Sequence, residues 1–244
     1  MLLIVTDAHL LPGNPASEDF MEMLSAVSSG GHDILFLGDV MELWMAISRY
    51  EDELHARFIE WARKENKNRK IFFIEGNHEY FVASKYKDAF SGASEDSLRL
   101  GRAFFTHGQY IQEAPWGINR LTVRFFKSWF TRLVLRVIPG GETIIRKVKR
   151  ALGSNGKYPH PVVPEARIEA WTGRLLEGDT SVDHLFLGHF HAARTLSLPC
   201  GRTCHVLPPW KEAGEVTLFD LDANRIVAAG PWRQVLDKSV IRNL

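Results

Sequence analysis

Five short runs in this chain carry side chains that bind divalent cations. They are Asp7-Ala8-His9, Gly38-Asp39-Val40-Met41-Glu42, Gly76-Asn77-His78-Glu79, Thr106-His107-Gly108 and Gly188-His189-Phe190-His191. Together they offer the carboxylates of Asp7 and Asp39, the carboxamide oxygen of Asn77, and the imidazoles of His9, His78, His107, His189 and His191. Mixed oxygen and nitrogen donors suit a borderline divalent ion, Mn2+ first with Fe2+ or Zn2+ as alternatives, whereas Ca2+ wants oxygens throughout. Two such ions ~3.5–4 Å apart need a shared ligand, and a carboxylate with two oxygens is the natural bridge. Asp39 is expected to take that place. Taken singly the runs are ordinary, since Gly-Asp and Gly-Asn are common turn dipeptides. Jointly they are not, because all five follow predicted strands in an order that one sheet could gather. His32, His55, His160, His184 and His205 lie outside the runs and read as structural.

The elements that must position these groups are legible as apolar runs. Leu2–Val5, Asp33–Leu37, Ile71–Ile74, Ala103–Thr106 and His184–Leu187 read as buried strands, each ending at one of the five runs. In open α/β sheets ligands gather just beyond the carboxyl ends of strands, so five such ends can converge on one spot. Between the strands, Ser17 reads as the N-cap of a helix whose apolar face is Phe20, Met23, Leu24 and Val27. A second helix is expected around Glu51–Lys64, carrying Leu54, Phe58, Ile59 and Trp61. From Thr195 to Ala229 the pattern is β, with turn signals at Cys200-Gly201, Ala213-Gly214 and Asp222-Ala223-Asn224.

Residues 112–167 break this alternation. Between Trp116 and Arg150 nine Lys or Arg side chains face only Glu142, a local excess of +8 in a chain whose total is +1. Ile118, Leu121, Phe125, Trp129 and Leu133 follow helical spacing, widened by Phe126 and Phe130. Pro139-Gly140-Gly141 ends that helix, Ile144, Ile145, Val148 and Leu152 suggest another, and Gly153–Pro164 reads as a returning loop. The segment is expected to be an inserted helical cap. Its aromatic and basic stripe has three uses: covering the core, lining a pocket for acyl chains, or resting on an anionic bilayer. A strand-binding groove for nucleic acid competes with these. The Leu, Val and Ile density of Arg132–Ile138 favours lipid.

Length and composition set the outer bounds. The 244 residues, 45% hydrophobic and 24% charged, fit one domain spanning 1–244 with the cap inserted at about 112–167. A chain this long buries a full core without disulfides, and its near-zero net charge gives no global argument for nucleic acid. Cys200 and Cys204 are too few for a secreted disulfide framework and fit reduced thiols in a cytoplasmic protein. The N-terminal apolar run stops at Val5 with no basic flank, which reads as a strand and not a signal peptide. No apolar stretch reaches the ~18 residues a membrane span needs.

The order D-x-H, G-D, G-N-H-E, H-G and G-H-x-H resembles the calcineurin-like metallophosphoesterase superfamily over Asp7 to His191. The resemblance implies an α/β fold, a four-layer α-β-β-α sandwich, here with the inserted helical cap. It implies one metal held by Asp7, His9, Asp39 and His191, and a second by Asp39, Asn77, His107 and His189. His78 then looks like the general acid or transition-state stabiliser, in a reaction where a hydroxide between the ions attacks phosphorus. Within the superfamily the chain is most similar to UDP-2,3-diacylglucosamine hydrolases of lipid A synthesis. Gly38-Asp39-Val40-Met41-Glu42-Leu43-Trp44 and Val206-Leu207-Pro208-Pro209-Trp210 resemble two of their blocks. Two departures stand out: His78 where those hydrolases commonly have Arg, and Gln109 where they have Asp.

The expected function is therefore a two-metal phosphohydrolase cleaving the pyrophosphate of a UDP-diacylglucosamine-type lipid or a related lipid phosphate. It would be peripheral on the inner membrane through the cap. The alternatives are a phosphodiesterase acting on nucleotides or nucleic acid, and a non-catalytic membrane-binding scaffold.

Overall fold

The computed structural model describes residues 1–112, 128–154 and 163–241. Its first half runs β1 (Leu2–Val5), α1 (Pro15–Ser29), β2 (Asp33–Leu37), β3 (Trp44–Met45), α2 (Glu53–Glu65), β4 (Ile71–Ile74), β5 (Glu79–Tyr80) and α3 (Val82–Lys85). Then follow β6 (Gly92–Ser94), β7 (Ser97–Leu100), β8 (Ala103–Thr106), α4 (Gln109–Gln112), α5 (Trp129–Val137), α6 (Gly141–Ser154) and α7 (Glu165–Leu175). The last part is β9 (His184–Leu187), β10 (Arg194–Ser197), β11 (Thr203–Val206), α8 (Trp210–Ala213), β12 (Glu215–Asp220), β13 (Arg225–Pro231) and α9 (Trp232–Ile241). The five strands expected to precede the chemical runs form with the expected bounds.

Their continuous apolar character follows from burial on both faces. One sheet has the order β13-β12-β1-β2-β4-β6, parallel from β1 to β6 and edged by antiparallel β12 and β13. A second has the order β10-β11-β9-β8-β7, parallel through β11, β9 and β8. Side chains alternate along each strand. Leu2, Ile4, Leu35, Leu37 and Ile74 pack between the sheets against Phe105, Phe186 and Leu207. Leu3, Val5, Ile34, Phe36 and Phe73 point the other way, against Phe20, Leu24 and Val27 of α1 and Leu54 and Phe58 of α2. Leu185, Leu187, Cys204 and Val206 cover the outer face of the second sheet together with Ile111 of α4 and Ile168 of α7. The layers are thus helix, sheet, sheet, helix.

Several local expectations are corrected. Asn14, not Ser17, caps α1: its side chain accepts from Ala16 N at 2.9 Å, and Pro15 supplies the preset φ at the first helical position. Ser17 is buried and ties its hydroxyl to Leu11 O and Leu11 N at 2.7 and 3.1 Å. Helix α2 starts at Glu53, capped reciprocally by Asp52 and His55, which gives His55 the structural role expected of it. His184 and His205 stack on each other at 5.3 Å beside Phe186, and His32 is buried. His160 lies outside the described residues.

Within the span expected as one helix from Ile118 to Leu133, the described residues show a helix start at Trp129. Ser128 caps a new helix at Trp129, its Oγ accepting from Thr131 N at 3.2 Å. Ile118, Leu121, Phe125 and Phe126 lie outside the described residues. Gly153, expected in a loop, lies inside α6, and residues 155–162 are outside the described set. Helices α5 and α6 dock on the β3 segment through Leu135 and Ile145, against Leu43, Met45, Ile47 and Tyr50. Tyr50 donates its hydroxyl to Leu135 O, and Arg49 donates to Arg136 O and Ile138 O at 3.1 and 3.3 Å. Phe130, Leu133 and Val137 do not cover the core: they are 51%, 50% and 71% exposed. Among the described residues no helix is long and apolar enough to cross a membrane.

Candidate metal centre

The loops that follow the strands are hydrogen-bonded to one another, and this zips the five runs together. Asp7 N donates to Gly38 O at 3.1 Å, His9 N to Asp39 O at 3.0 Å and Leu10 N to Val40 O at 2.9 Å, joining the loops after β1 and β2. Gly188 N donates to His107 O at 3.1 Å, joining those after β8 and β9. Between the sheets, His189 N donates to Asp7 Oδ2 at 3.0 Å and the His107 ring bonds Leu37 O at 2.9 Å. The loop after β4 joins through His78 N, which donates to Asp39 Oδ1 at 2.9 Å.

Aiming side chains inward from these loops requires unusual backbone. Asp7, His9, Asp39, His189 and His191 have φ of 51°, 47°, 53°, 67° and 48°. Left-handed conformations at non-glycine residues cost of order 1–3 kcal/mol each and persist where the surroundings enforce them. Two glycines make room. A Cβ on Gly76 would lie 2.0 Å from Asp39 Oδ1, and one on Gly188 would lie 2.1 Å from Thr6 Oγ1 and 2.8 Å from Asp7 Oδ2.

The outcome is three groups of ligand-type atoms, one of them His9, Glu42 and His78, and the other two built from predicted ligands. Asp7, His9 and His191 meet with Asp7 Oδ1 to His191 Nε2 at 3.2 Å and His9 Nε2 to His191 Nε2 at 3.3 Å. Asp39, His107 and His189 form the other, with His107 Nε2 to Asp39 Oδ2 at 3.3 Å. Asp39 Oδ2 also lies 3.8 Å from His9 Nε2, so this carboxylate stands between the groups. Asn77 is flanked by two residues that contact Asp39: Gly76, packed against its carboxylate, and His78, bonded to it. Asp7, His9, Asp39, His78, His107, His189 and His191 lie at one place, and Asn77 sits in the chain between two residues that contact Asp39. His78 and His191 form its open side, 13% and 10% exposed, while Asp7, Asp39 and His107 are sealed.

Three residues with evident roles carry no assignment from sequence. Glu79 is buried and accepts from Asp39 N and Gly76 N at 2.9 and 2.8 Å and from Val40 N at 2.7 Å, fixing the loops after β2 and β4 to each other. Burial and the Asp39 carboxylate lift its pKa to about 7. Glu42 is fully buried, with Oε2 3.7 Å from His9 Nδ1 and 3.5 Å from Lys211 Nζ, and burial raises its pKa. Glu42 and Glu79 lie within the recognised runs, which is the signal that could have found them. Lys211 has no such signal; it arrives because Trp210 N and Lys211 N donate to Thr6 O and Asp7 O.

The residues fit a pair of divalent cations. Asp7 Oδ1, Asn77 Oδ1 and His107 Nε2 are buried with no hydrogen-bond partner, although such groups are ordinarily satisfied. Carboxylate, carboxamide and imidazole are the donors that Mn2+, Fe2+ and Zn2+ accept. Electrostatics agree. Burial opposes charge on His107, but Asp39 and Asp7 outweigh it and hold the ring up at about 9. Burial likewise opposes charge on Asp7, yet His107 and His191 draw its pKa down to about 2. Burial keeps His9 and His189 neutral, at about 3 and about 4.

These values set the pH dependence of metal uptake. Above pH ~4 His9 and His189 present free lone pairs, whereas His107 must lose a proton at any pH below about 9. Affinity is therefore expected to weaken about tenfold per unit as pH falls from about 9 to 6, one proton being released from the ligand set. Calorimetry of Mn2+ binding in buffers of different ionisation enthalpy measures that proton. An affinity constant over this range contradicts the assignment of His107.

Comparison with known proteins adds a family. Residues 1–193 match the calcineurin-like phosphoesterase family. No curated protein matches the chain in sequence. Among solved structures it is similar to a dimetal phosphatase from Danio rerio, with 10% identity and a TM-score of 0.43, over 88% of this chain and 91% of that one. It is also similar to a predicted phosphoesterase from Streptococcus pneumoniae TIGR4, with 12% identity and a TM-score of 0.39, over 88% and 79%. Vacuolar Protein Sorting 29 from Cryptosporidium parvum is similar at 13% identity and a TM-score of 0.38, over 88% and 82%.

Proposed function

This chain belongs to the calcineurin-like phosphoesterase family and is a metal-dependent phosphohydrolase; we propose that its substrate is a lipid-linked phosphate, first the pyrophosphate of a UDP-diacylglucosamine-type lipid. In this reading Asp7, His9, Asp39 and His191 hold one cation, and Asp39, Asn77, His107 and His189 the other. The bound pair supplies Lewis acidity to phosphoryl oxygens and lowers the pKa of an adjacent water. The chain's own groups do the rest. Glu79 and the two glycines fix the loops, Glu42 places a carboxylate 3.7 Å from His9 Nδ1, and His78 faces the open side with Nε2 3.9 Å from Asp39 Oδ2. The ring's other nitrogen is tied to the Glu42 carbonyl, so Nε2 is the atom available to a leaving group.

One observation carries the lipid reading. Phe130, Leu133, Val137 and Ile144 stand 50% or more exposed on a helix pair that also bears Arg136, Arg146 and Lys147. An exposed apolar face rimmed by cations suits an anionic membrane surface, where each basic residue contributes about 1 kcal/mol. Peripheral contact with the cytoplasmic leaflet belongs to this proposal. A second reading, a phosphodiesterase acting on nucleotides, is favoured by His78, because an ester expels an alkoxide that needs a proton where a pyrophosphate does not.

The test is a substrate panel with Mn2+-loaded protein: detergent-solubilised UDP-diacylglucosamine, nucleotide diesters and bis-p-nitrophenyl phosphate. The lipid is expected to exceed the nucleotides by about 100-fold in kcat/KM, the ~3 kcal/mol that a few buried methylenes supply. The opposite ranking overturns the lipid reading. Inertness toward all three is the behaviour of the scaffold.

A further inference from the structure

Glu42 is fully buried, and neither of its carboxylate oxygens has a hydrogen-bond partner. What it has is charge nearby: Oε2 lies 3.5 Å from Lys211 Nζ and 3.7 Å from His9 Nδ1. A buried carboxylate is unfavourable unless a counter-charge meets it, and Lys211 supplies one. The same oxygen faces both groups, so the place where Lys211 holds it decides what His9 meets.

The His9 ring needs such a neighbour. A neutral imidazole carries one proton and offers one lone pair, and the nitrogen that binds a cation must be the one without the proton. Asp39 Oδ2 and Asp7 Oδ1 lie 3.8 and 3.9 Å from Nε2, and they draw the ring proton to that end, the wrong one for a ligand. Glu42 draws it to the opposite end. A carboxylate behind the second nitrogen of a ligand histidine fixes both tautomer and ring orientation. The Glu42 carbonyl also accepts from His78 Nδ1, so one residue reaches two rings of the centre.

Lys211 is brought in by the C-terminal part of the chain. It lies on α8, beyond the residues that match the family, and its N donates to Asp7 O at 3.2 Å. Trp210 beside it is buried, with its ring 4.9 Å from that of Phe20 and its N donating to Thr6 O at 2.9 Å. The Lys211 side chain is 27% exposed, so removing its ammonium opens a path for the Glu42 carboxylate to turn toward water.

We propose that Lys211 and Glu42 are a positioning pair: Lys211 holds the Glu42 carboxylate behind His9, and Glu42 keeps the ring proton on Nδ1, leaving Nε2 for the cation that Asp7 and His191 also hold. The pair rests on the reading of His9 as a ligand. Its effect has a sign that sets it apart from simple charge. A lysine near a cation site repels a divalent ion, so a Lys211 acting by charge alone would bind metal more weakly than Lys211→Met. A Lys211 acting through Glu42 does the reverse.

Two-site calorimetry of Mn2+ on the full chain reads that sign. Lys211→Met and Glu42→Leu are each expected to weaken one ion roughly tenfold or more and to leave the other within about twofold. Lys211→Arg, which keeps the charge, is expected to restore affinity. In a Glu42→Leu background, adding Lys211→Met should change affinity by less than about twofold, because the lysine has nothing left to act through. Nitrogen NMR of the metal-free protein gives a readout that a merely structural pair would not move: the share of His9 with its proton on Nδ1 falls in both single variants. Circular dichroism checks their fold, and Lys211→Met, a change at a partly exposed side chain, carries the test if Glu42→Leu unfolds. Tighter binding in Lys211→Met, additive losses in the double variant, or an unmoved His9 tautomer overturns the pair. His9→Ala tests the premise separately. If it keeps both ions, the ligand assignment falls and the pair with it; if it loses one while Lys211→Met and Glu42→Leu lose none, the pair alone falls.

Discussion

Asp39→Asn is expected to lower kcat/KM on bis-p-nitrophenyl phosphate by roughly 10³-fold or more, a loss of about 4 kcal/mol in transition-state stabilisation. The reason is its place between the two groups: Oδ2 lies 3.3 Å from His107 Nε2 and 3.8 Å from His9 Nε2. Asparagine keeps the shape and one oxygen, so the bond from His78 N to Oδ1 can survive. It removes the negative charge that, with Asp7, counters the burial of His107, and it turns one carboxylate oxygen into an NH2 that cannot bind a cation. Metal content should fall from about two ions per chain to one or fewer, since a shared ligand serves both. His191→Ala provides the contrast. It belongs to the Asp7 group and not to the Asp39 group, so it should reduce occupancy by about one ion and leave the Asp39 group loaded. Elemental mass spectrometry with turnover on the same samples reads both effects. Full occupancy in Asp39→Asn would remove its bridging role.

How much of this was legible follows from where each residue's partners lie. The five strands could be read because burial on both faces demands unbroken apolar runs, and Leu2–Val5 or Ile71–Ile74 show nothing else. The chemical runs could be read because each strand must end in a sharp turn, and the residue types there serve both turn and ligand. Left-handed φ at His9 and His191 was not legible, since histidine has no local preference that announces it. The start of α1 was misplaced because Asn14 and Ser17 are both good caps; Pro15 between them is the deciding signal, fitting the first helical position and not the one before a cap. Strands β6 and β7 are short and mostly polar, and exist through pairing with β4 and β8, which no local pattern reports. The helix start at Trp129 was missed for a similar reason: apolar spacing continues through Ser128, but its hydroxyl caps the helix there. Glu79 was seen and left without a role because two of its partners are backbone N–H groups about 40 residues upstream. A side chain that satisfies distant backbone leaves no periodicity behind it.

His78→Gln is expected to cost activity in proportion to the basicity of the leaving group. The ring is held by the Glu42 carbonyl through Nδ1 and sits on the open side of the centre, with Nε2 turned toward Asp39. Burial opposes its protonation, but Asp39, the Glu42 carbonyl and the Glu42 and Glu79 carboxylates prevail, so its pKa is raised. More of the ring is therefore protonated at neutral pH than in a free imidazole, and Nε2 is expected to act as a donor there. For a substrate that expels an alkoxide, removing that proton should lower kcat by about 10²–10⁴-fold. For p-nitrophenolate, or for the phosphate expelled from a pyrophosphate, the leaving group is stable without it, and the loss should stay within about tenfold. Glutamine keeps a hydrogen-bond donor near the same volume, so equal small losses in both series would mean that His78 only positions substrate. Equal large losses would mean that it supports the metal centre instead, and the metal content of the same variant separates that case. A pH profile adds the sign: the descending limb of kcat for an alkyl ester reports the proton on the ring and should vanish in His78→Gln. The same experiment ranks the two substrate classes, because an enzyme adapted to a pyrophosphate has little to lose at this position and one adapted to an ester has much.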